Sequence, residues 1–270
     1  MTRRRIQNLL LKEWEVLFHD LNSALVITLL PFLIVGQGIL YVWLAVTFGS
    51  GVMLTNPMFQ TALIKLEQAI PELVQLPVEQ QFQVLLLNQF NFFLLLIPTM
   101  IAISVATFSI VDEKLSGSLE ALLATPVRTW ELLLGKALAG GIPALIMTWL
   151  SAGVFLLAVI GIGWGNLSHF VLNASWFLSL FLLVPAVAML SFMLGVMGSS
   201  RARDAKSAQN MALVIIFPVL ALIGLQVTGV VWFTPLLVIT LALGIGIVDM
   251  LVLRFAVSLF QRESIVVRWH

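Results

Sequence analysis

The chain has 270 residues, of which 60% are hydrophobic and only 10% are Asp, Glu, Lys or Arg. Soluble domains carry about 25% charged residues, so this composition excludes an ordinary soluble protein and indicates a membrane protein. The sequence contains no cysteine, which excludes disulfides and thiol chemistry.

Residues 1–22 form the first predicted element, a helix that lies on the membrane surface. Apolar side chains recur along it at three- and four-residue spacing, Trp14 is among them, and basic residues such as Lys12 supply charge. This pattern is typical of an interfacial amphipathic helix with an aromatic anchor and an affinity for anionic lipid. The alternative is a polar lead-in to the first span. The charged residues from Lys12 to Asp20 argue against a cleavable signal peptide.

Six long apolar runs follow, each able to cross the membrane as a helix of about 20 residues. They cover residues 23–48, 84–108, 130–160, 172–197, 211–227 and 234–259. The runs are apolar on all sides, which disfavours a soluble core, and they lack the alternating polarity of a β-barrel. The predicted fold is an all-α membrane protein. Six spans place both termini on one side, and every Lys and Arg except Lys65 falls there, so both termini are predicted to be cytoplasmic.

Prolines interrupt most of these spans. A membrane helix tolerates an internal proline when neighbouring groups satisfy the carbonyl that the proline leaves free, and it usually kinks at that point. Five spans contain such a residue, namely Pro31, Pro98, Pro143, Pro185 and Pro218.

Polar side chains within the spans are the candidate residues of a translocation path. The second span, which follows an external loop at 49–83, carries Asn88 and Asn91 near its outer end and Thr99 deeper. The two asparagines share a helix face and either line an outward exit or join helices. Asp249 lies in the middle of the last span, where an acid is expensive. It either pairs with a polar group on another helix or takes part in ion or substrate passage.

The segment 111–136 concentrates charge in a chain where charge is scarce. Ser116 or Ser118 can cap a short helix there, with Glu120 near its positive end. A leucine edge at Leu119, Leu122 and Leu123 is suited to a groove in another protein. The alternative is an ordinary solvated connector.

No catalytic or metal-binding constellation is predicted, and the chain is not expected to be an enzyme. His19, His169 and His270 lie in separate regions, without a second ligand at helical spacing. Gly135 and Lys136 do not form a phosphate loop, because the residue five positions before Gly135 is Trp130 and not glycine. We therefore expect no ATP hydrolysis by this chain alone.

The charged segment closely resembles the corresponding loop of type-2 ATP-binding-cassette (ABC) transporter permeases. The matching residues are Asp112-Glu113-Lys114, Ser116-Gly117-Ser118-Leu119-Glu120, Leu122-Leu123, Thr125-Pro126-Val127, Glu131 and Leu134-Gly135-Lys136. Lys12-Glu13 and His19-Asp20 are similar to the family's amphipathic lead-in, and 260–263 is similar to its usual ending. The chain departs from the family in the short connection 226–235, which leaves little room for re-entrant helices there.

This resemblance implies one transmembrane permease domain over 1–270, in which the loop 109–129 is a cytoplasmic coupling helix between spans two and three. The residues it implies for contact with an ATPase subunit are Glu113, Lys114, Ser116, Gly117, Leu119, Glu120, Leu122 and Leu123. ATP and Mg would bind two copies of that subunit, and a second permease chain, identical or homologous, would complete a dimer that works by alternating access. No nucleic-acid partner is expected.

The function that the resemblance implies is export of an amphipathic or hydrophobic cargo, such as a drug, lipid, lipopeptide or lipid-linked glycan. A multi-pass location in a prokaryotic inner or plasma membrane is expected. The alternatives are an ion-coupled secondary transporter that uses Asp249 and an ABC permease that extrudes ions. A membrane scaffold without transport activity is a third class.

Overall fold

Helices account for nearly all of the secondary structure in this computed structural model. The structure describes residues 2–49, 51, 55–115, 129–201, 210, 214 and 216–259, without the side chains of 2–6, 8, 9, 22, 107–115, 129, 200, 201, 258 and 259. No β-strand occurs within these ranges. The all-α prediction is confirmed for this part of the chain.

Eleven α-helices are described, and we number them in chain order. They are α1 (Thr2–His19), α2 (Leu21–Phe48), α3 (Pro57–Ala69), α4 (Val78–Phe93), α5 (Leu96–Leu115), α6 (Thr129–Val159), α7 (Ser168–Val171), α8 (Ala174–Leu178), α9 (Val184–Arg201), α10 (Ile216–Val227) and α11 (Pro235–Leu259). A π-helical segment, Ser179–Leu183, joins α8 to α9, and another, Ile160–Trp164, extends α6.

Five apolar helical stretches are long enough to cross a membrane. They are Ser23–Phe48, Val78–Ala106, Trp130–Val171, Ala174–Ser199 and Pro235–Val257. The remaining predicted span, 211–227, contains α10, whose 12 residues rise only about 18 Å. A sixth complete span and the cytoplasmic placement of both termini stay predictions.

The boundary between α1 and α2 lies at Asp20. One carboxylate oxygen of Asp20 accepts a hydrogen bond of 2.9 Å from the backbone N–H of Ser23, which caps the first turn of α2. The chain therefore starts a new helix here, and α1 packs against α6 and α2. Its position at a membrane surface stays a prediction.

The second predicted span consists of two helices. The helical chain begins at Val78, six residues before the predicted start at residue 84, and a short turn at Leu94 and Leu95 separates α4 from α5. Together these helices form the most buried of the five spanning stretches. In particular, α5 packs closely against α9, where a Cβ added to Gly195 would lie 2.9 Å from the Cβ of Ala106.

The predicted external loop 49–83 contains α3, which packs against the turn between α10 and α11. Gly229 in this turn has a φ of +66°, and a Cβ there would lie 2.7 Å from the Cα of Ala62 in α3. Lys65 of α3 donates a hydrogen bond of 2.7 Å to the carbonyl of Val230. These contacts fix α3 to one end of the bundle, beside the end of α10.

Candidate functional site

A pocket of about 320 Å³ opens between α2, the α4–α5 region and the end of α10. Its walls are apolar apart from Gln37 and Tyr41 of α2 and Gln89 of α4. The complete lining is Ile34, Gln37, Gly38, Tyr41, Val42, Leu86, Gln89, Phe90, Phe93, Leu96 and Val227. An apolar cavity with a few polar groups is the usual form of a small-molecule site, and here none of the lining residues is Asp, Glu, Lys or Arg.

The close approach of α2 and α4 shapes one wall of the pocket. A Cβ built on Gly38 would lie 1.7 Å from the Phe90 ring, so this side of α2 leaves room only for glycine. The Phe90 ring also stacks on Phe155 of α6 with a centroid distance of 4.3 Å, which limits its freedom to move away. Gly36, two residues earlier, has nothing within 4 Å of its added Cβ.

Gln89 fixes the position of α10 at the pocket. Its Nε2 donates a hydrogen bond of 3.2 Å to the carbonyl of Val227, the last residue of α10. An amide in an apolar setting is costly unless it is hydrogen-bonded, so this bond both satisfies the side chain and holds two walls together. The pocket therefore lies directly beside the turn that α3 contacts through Gly229.

The predicted path residues Asn88 and Asn91 make hydrogen bonds to the α7–α9 region. Asn88 donates to the carbonyl of Phe170 at 3.3 Å and accepts from Asn173 at 2.9 Å. Asn91 donates to the hydroxyl of Ser179 at 2.7 Å. These bonds join helices, which was one of the two roles that the sequence left open, and neither asparagine lines the pocket.

Thr99 and Asp249 do not line the pocket either. The Thr99 hydroxyl is buried and donates at 2.8 Å to the carbonyl of Leu95, in the turn that precedes α5. One carboxylate oxygen of Asp249 is buried and has no hydrogen-bond partner among the described residues. The part that these residues and the two asparagines play in a translocation path stays a prediction.

Most of the predicted coupling segment lies outside the described residues. This is true of Ser116, Gly117, Leu119, Glu120, Leu122 and Leu123. Glu113 and Lys114 are described as backbone in the last turn of α5, which ends at Leu115. The described chain resumes at Thr129, where α6 begins.

A buried ion pair joins α1 to α6 close to the start of α6. The Nζ atom of Lys136 lies 3.0 Å from Oε1 of Glu13, and their side chains are 0% and 7% exposed. In the next position of α1, the indole N–H of Trp14 donates to the carbonyl of Ala139 at 2.9 Å. Both charged residues belong to motifs noted in the sequence, but their pairing across 123 positions was not predicted.

Metal-binding clusters are not evident in the described ranges. No group of three or more His, Cys, Asp or Glu side chains within them could hold a metal ion.

Comparison with known proteins identifies a family. The family model described as "ABC-2 family transporter protein" matches residues 7–237. No curated protein and no solved structure matches the chain. The matched range contains α2 to α10, most of α1 and the first residues of α11, and it includes every residue of the pocket.

Proposed function

This chain belongs to the ABC-2 transporter family, and on that premise we propose that it is the membrane-spanning permease subunit of an ABC exporter. The family match over residues 7–237 is the observation that carries the proposal. The five long apolar helices agree with it, because they make the chain an integral, multi-pass membrane protein. Export, rather than import, follows from the resemblance of the charged loop 109–129 to type-2 permeases.

The energy for transport comes from ATP hydrolysis by a separate ABC ATPase subunit. This chain lacks a phosphate loop, so ATP and Mg bind the partner, which is present in two copies beside a dimer of permeases. Glu113, Leu119 and Glu120 belong to the coupling segment that contacts the ATPase. The termini and this segment lie in the cytoplasm, as the distribution of basic residues indicates, and the membrane is the inner or plasma membrane of a prokaryote.

The cargo is amphipathic or hydrophobic. The pocket supports this choice, because its lining is apolar, carries no charged side chain and offers only the polar groups of Gln37, Tyr41 and Gln89. A drug, lipid, lipopeptide or lipid-linked glycan would place an apolar part against the phenylalanine rings and a polar part near the amides. Alternating access would then expose the pocket to each side of the membrane in turn.

Reconstitution into liposomes together with the partner ATPase tests this proposal. NBD-phosphatidylethanolamine serves as a lipid probe and rhodamine 6G as a drug-like probe. We expect movement of one of these probes that requires ATP hydrolysis and is lost when Leu119 is changed to Arg. Probe movement that persists without ATP and without the ATPase would contradict the proposal.

A second candidate is an ion-coupled secondary transporter. The observation in its favour is Asp249, whose buried carboxylate oxygen has no hydrogen-bond partner among the described residues. Transport by such a protein would depend on an ion gradient and would be abolished by Asp249→Asn.

A further inference from the structure

One proline in α6 leaves a carbonyl without its usual donor. In an α-helix the N–H of a residue bonds to the carbonyl four positions earlier, and proline has no N–H. Pro143 lies inside α6, so its missing bond is the one to the carbonyl of Ala139. The indole N–H of Trp14 donates to this same carbonyl at 2.9 Å, from the neighbouring helix α1.

The same relationship occurs at a second proline, where the local helix is wider. In the segment Ser179–Leu183 the bonds span five residues, as shown by the N–H of Val184, which donates to the carbonyl of Ser179. The next residue is Pro185, whose missing bond in this register is the one to the carbonyl of Leu180. The indole N–H of Trp149, in α6, donates to that carbonyl at 3.1 Å.

These two bonds bear on the bends that prolines impose on helices. A proline removes a backbone hydrogen bond and bends the helix. The angle of this bend therefore depends on which group replaces the lost donor. The residues that carry the two carbonyls, Ala139 and Leu180, are buried, so water does not replace the lost donor, and a buried carbonyl without a donor is costly. A donor on a neighbouring helix therefore sets both the kink and the position of the helix that supplies it.

We propose that Trp14 and Trp149 are positioning residues that hold the kinks at Pro143 and Pro185. They connect α1 to α6 and α6 to the α8–α9 helix, so that the three elements keep fixed relative positions. The buried pair of Glu13 and Lys136 lies beside the first of these bonds and holds α1 in the same orientation. If the proposed function holds, α1 and α6 move together when the ATPase acts on the segment before α6.

Double-variant cycles test the role of Trp14 at the Pro143 kink. The chain has no cysteine, so Trp130→Cys and Leu157→Cys place two spin labels on exposed positions of α6 on either side of Pro143, about 40 Å apart. Trp14→Phe keeps an aromatic ring and removes the N–H donor. We expect it to broaden the label distance distribution and to shift its mean by about 2 Å, the change produced by a further bend of about 20°.

Pro143→Ala should abolish this effect. Alanine restores the backbone N–H that bonds to Ala139, so Trp14→Phe is expected to leave the distance distribution unchanged in that background. Pro185→Ala is the matched control, because it restores a different carbonyl and should not rescue Trp14→Phe. The proposal would be overturned if Trp14→Phe had the same effect in the wild type and in the Pro143→Ala variant. It would also be overturned if Pro185→Ala rescued Trp14→Phe.

The kink at Pro185 allows a second double-variant cycle, which does not depend on the folding of the Trp14 variant. Labels at Phe177 and Leu194 lie on either side of Pro185, and Trp149→Phe should broaden their distance distribution. We expect rescue by Pro185→Ala and none by Pro143→Ala. If Trp149→Phe leaves the distance distribution unchanged, Trp149 does not hold the kink at Pro185. Neither cycle needs an ATPase or nucleotide, so both can be measured on the permease alone in nanodiscs.

A last measurement separates this inference from the proposed function. In the complex with the partner ATPase, labels at Phe18 in α1 and Trp130 in α6 report on the joined pair, while labels at Trp130 and Leu243 in α11 provide a reference. We expect the non-hydrolysable nucleotide AMP-PNP to change the reference distance and to leave the α1–α6 distance unchanged. A constant reference distance would contradict ATP-driven motion, whereas a changed α1–α6 distance would contradict the inference alone.

Discussion

The Nζ atom of Lys136 lies 3.0 Å from Oε1 of Glu13, in an ion pair whose side chains are almost completely buried between α1 and α6. Burial removes both charges from water, so each depends on its partner and on nearby polar groups. The pair therefore fixes how α1 packs on α6, immediately after the segment that we propose contacts the ATPase.

Removal of one member of this pair should strongly destabilise the protein. We expect Glu13→Gln or Lys136→Met to lower the free energy of unfolding by about 3–5 kcal/mol, because a buried charge loses its partner. The change to methionine at both positions should cost less than the sum of the single changes, since it leaves neither charge behind. Denaturation in mixed micelles measures these differences.

Glu15→Gln is the matched control, since Glu15 is an exposed acid in the same helix. We expect it to change the free energy of unfolding by no more than about 0.5 kcal/mol. Single variants of the ion pair that are as stable as Glu15→Gln would show that the pair does not hold α1 to α6.

Gly38→Ala should weaken cargo binding, while Gly36→Ala should have no effect. The added methyl group at Gly38 meets the Phe90 ring, which Phe155 holds from the other side, and overpacking of this kind costs about 1–3 kcal/mol. The methyl group at Gly36 meets nothing within 4 Å. Concentration dependence of probe transport in proteoliposomes measures the difference. If the two substitutions changed probe transport equally, the pocket would not be part of the cargo path.

Gly229→Ala should destabilise the contact between α3 and the α10–α11 turn. Its positive φ costs an alanine about 1–2 kcal/mol, and the new Cβ would also collide with the backbone of Ala62. Gly224→Ala in α10 is the control, because nothing lies within 4 Å of its added Cβ. We expect a lower midpoint of thermal unfolding for the Gly229 variant only. A Gly229 variant as stable as the wild type would show that α3 is not fixed to this turn.

Asp249→Asn separates the exporter from the ion-coupled alternative. If ATP hydrolysis by the partner supplies the energy, this substitution should leave ATP-dependent probe transport within about threefold of the wild type, because it preserves shape and removes only charge. Transport assays with ATP alone and with an ion gradient alone provide the measurement. A complete loss of transport in the variant, together with transport driven by the gradient alone, would favour the secondary transporter.

The apolar runs predicted most of the helices, because a segment in hydrocarbon must satisfy its backbone internally and a helix does this with local bonds. The predicted spans 130–160 and 234–259 differ from α6 and α11 by a single residue at their ends. The break at Leu94 and Leu95 was not predicted. Both sides of it are equally apolar, and hydropathy does not register a change in helix direction.

The pocket could be predicted only in part. The sequence marks Asn88 and Gln89 as polar residues within a span, and neighbouring positions on a helix point about 100° apart, so they must face different partners. It does not show that Gln89 meets α10 and the pocket while Asn88 meets α7. Contacts such as Glu13 with Lys136 join residues far apart in the chain, and they follow from tertiary packing, which helical periodicity does not encode.

Purification of the chain from its native membrane, under mild conditions, tests the central claim most directly. We predict that an ABC ATPase co-purifies with it in equal amounts and that Leu119→Arg, in the segment proposed for contact, removes this subunit without lowering the amount of folded permease. A chain that purifies without any ATPase and still transports in liposomes lacking ATP would contradict the account.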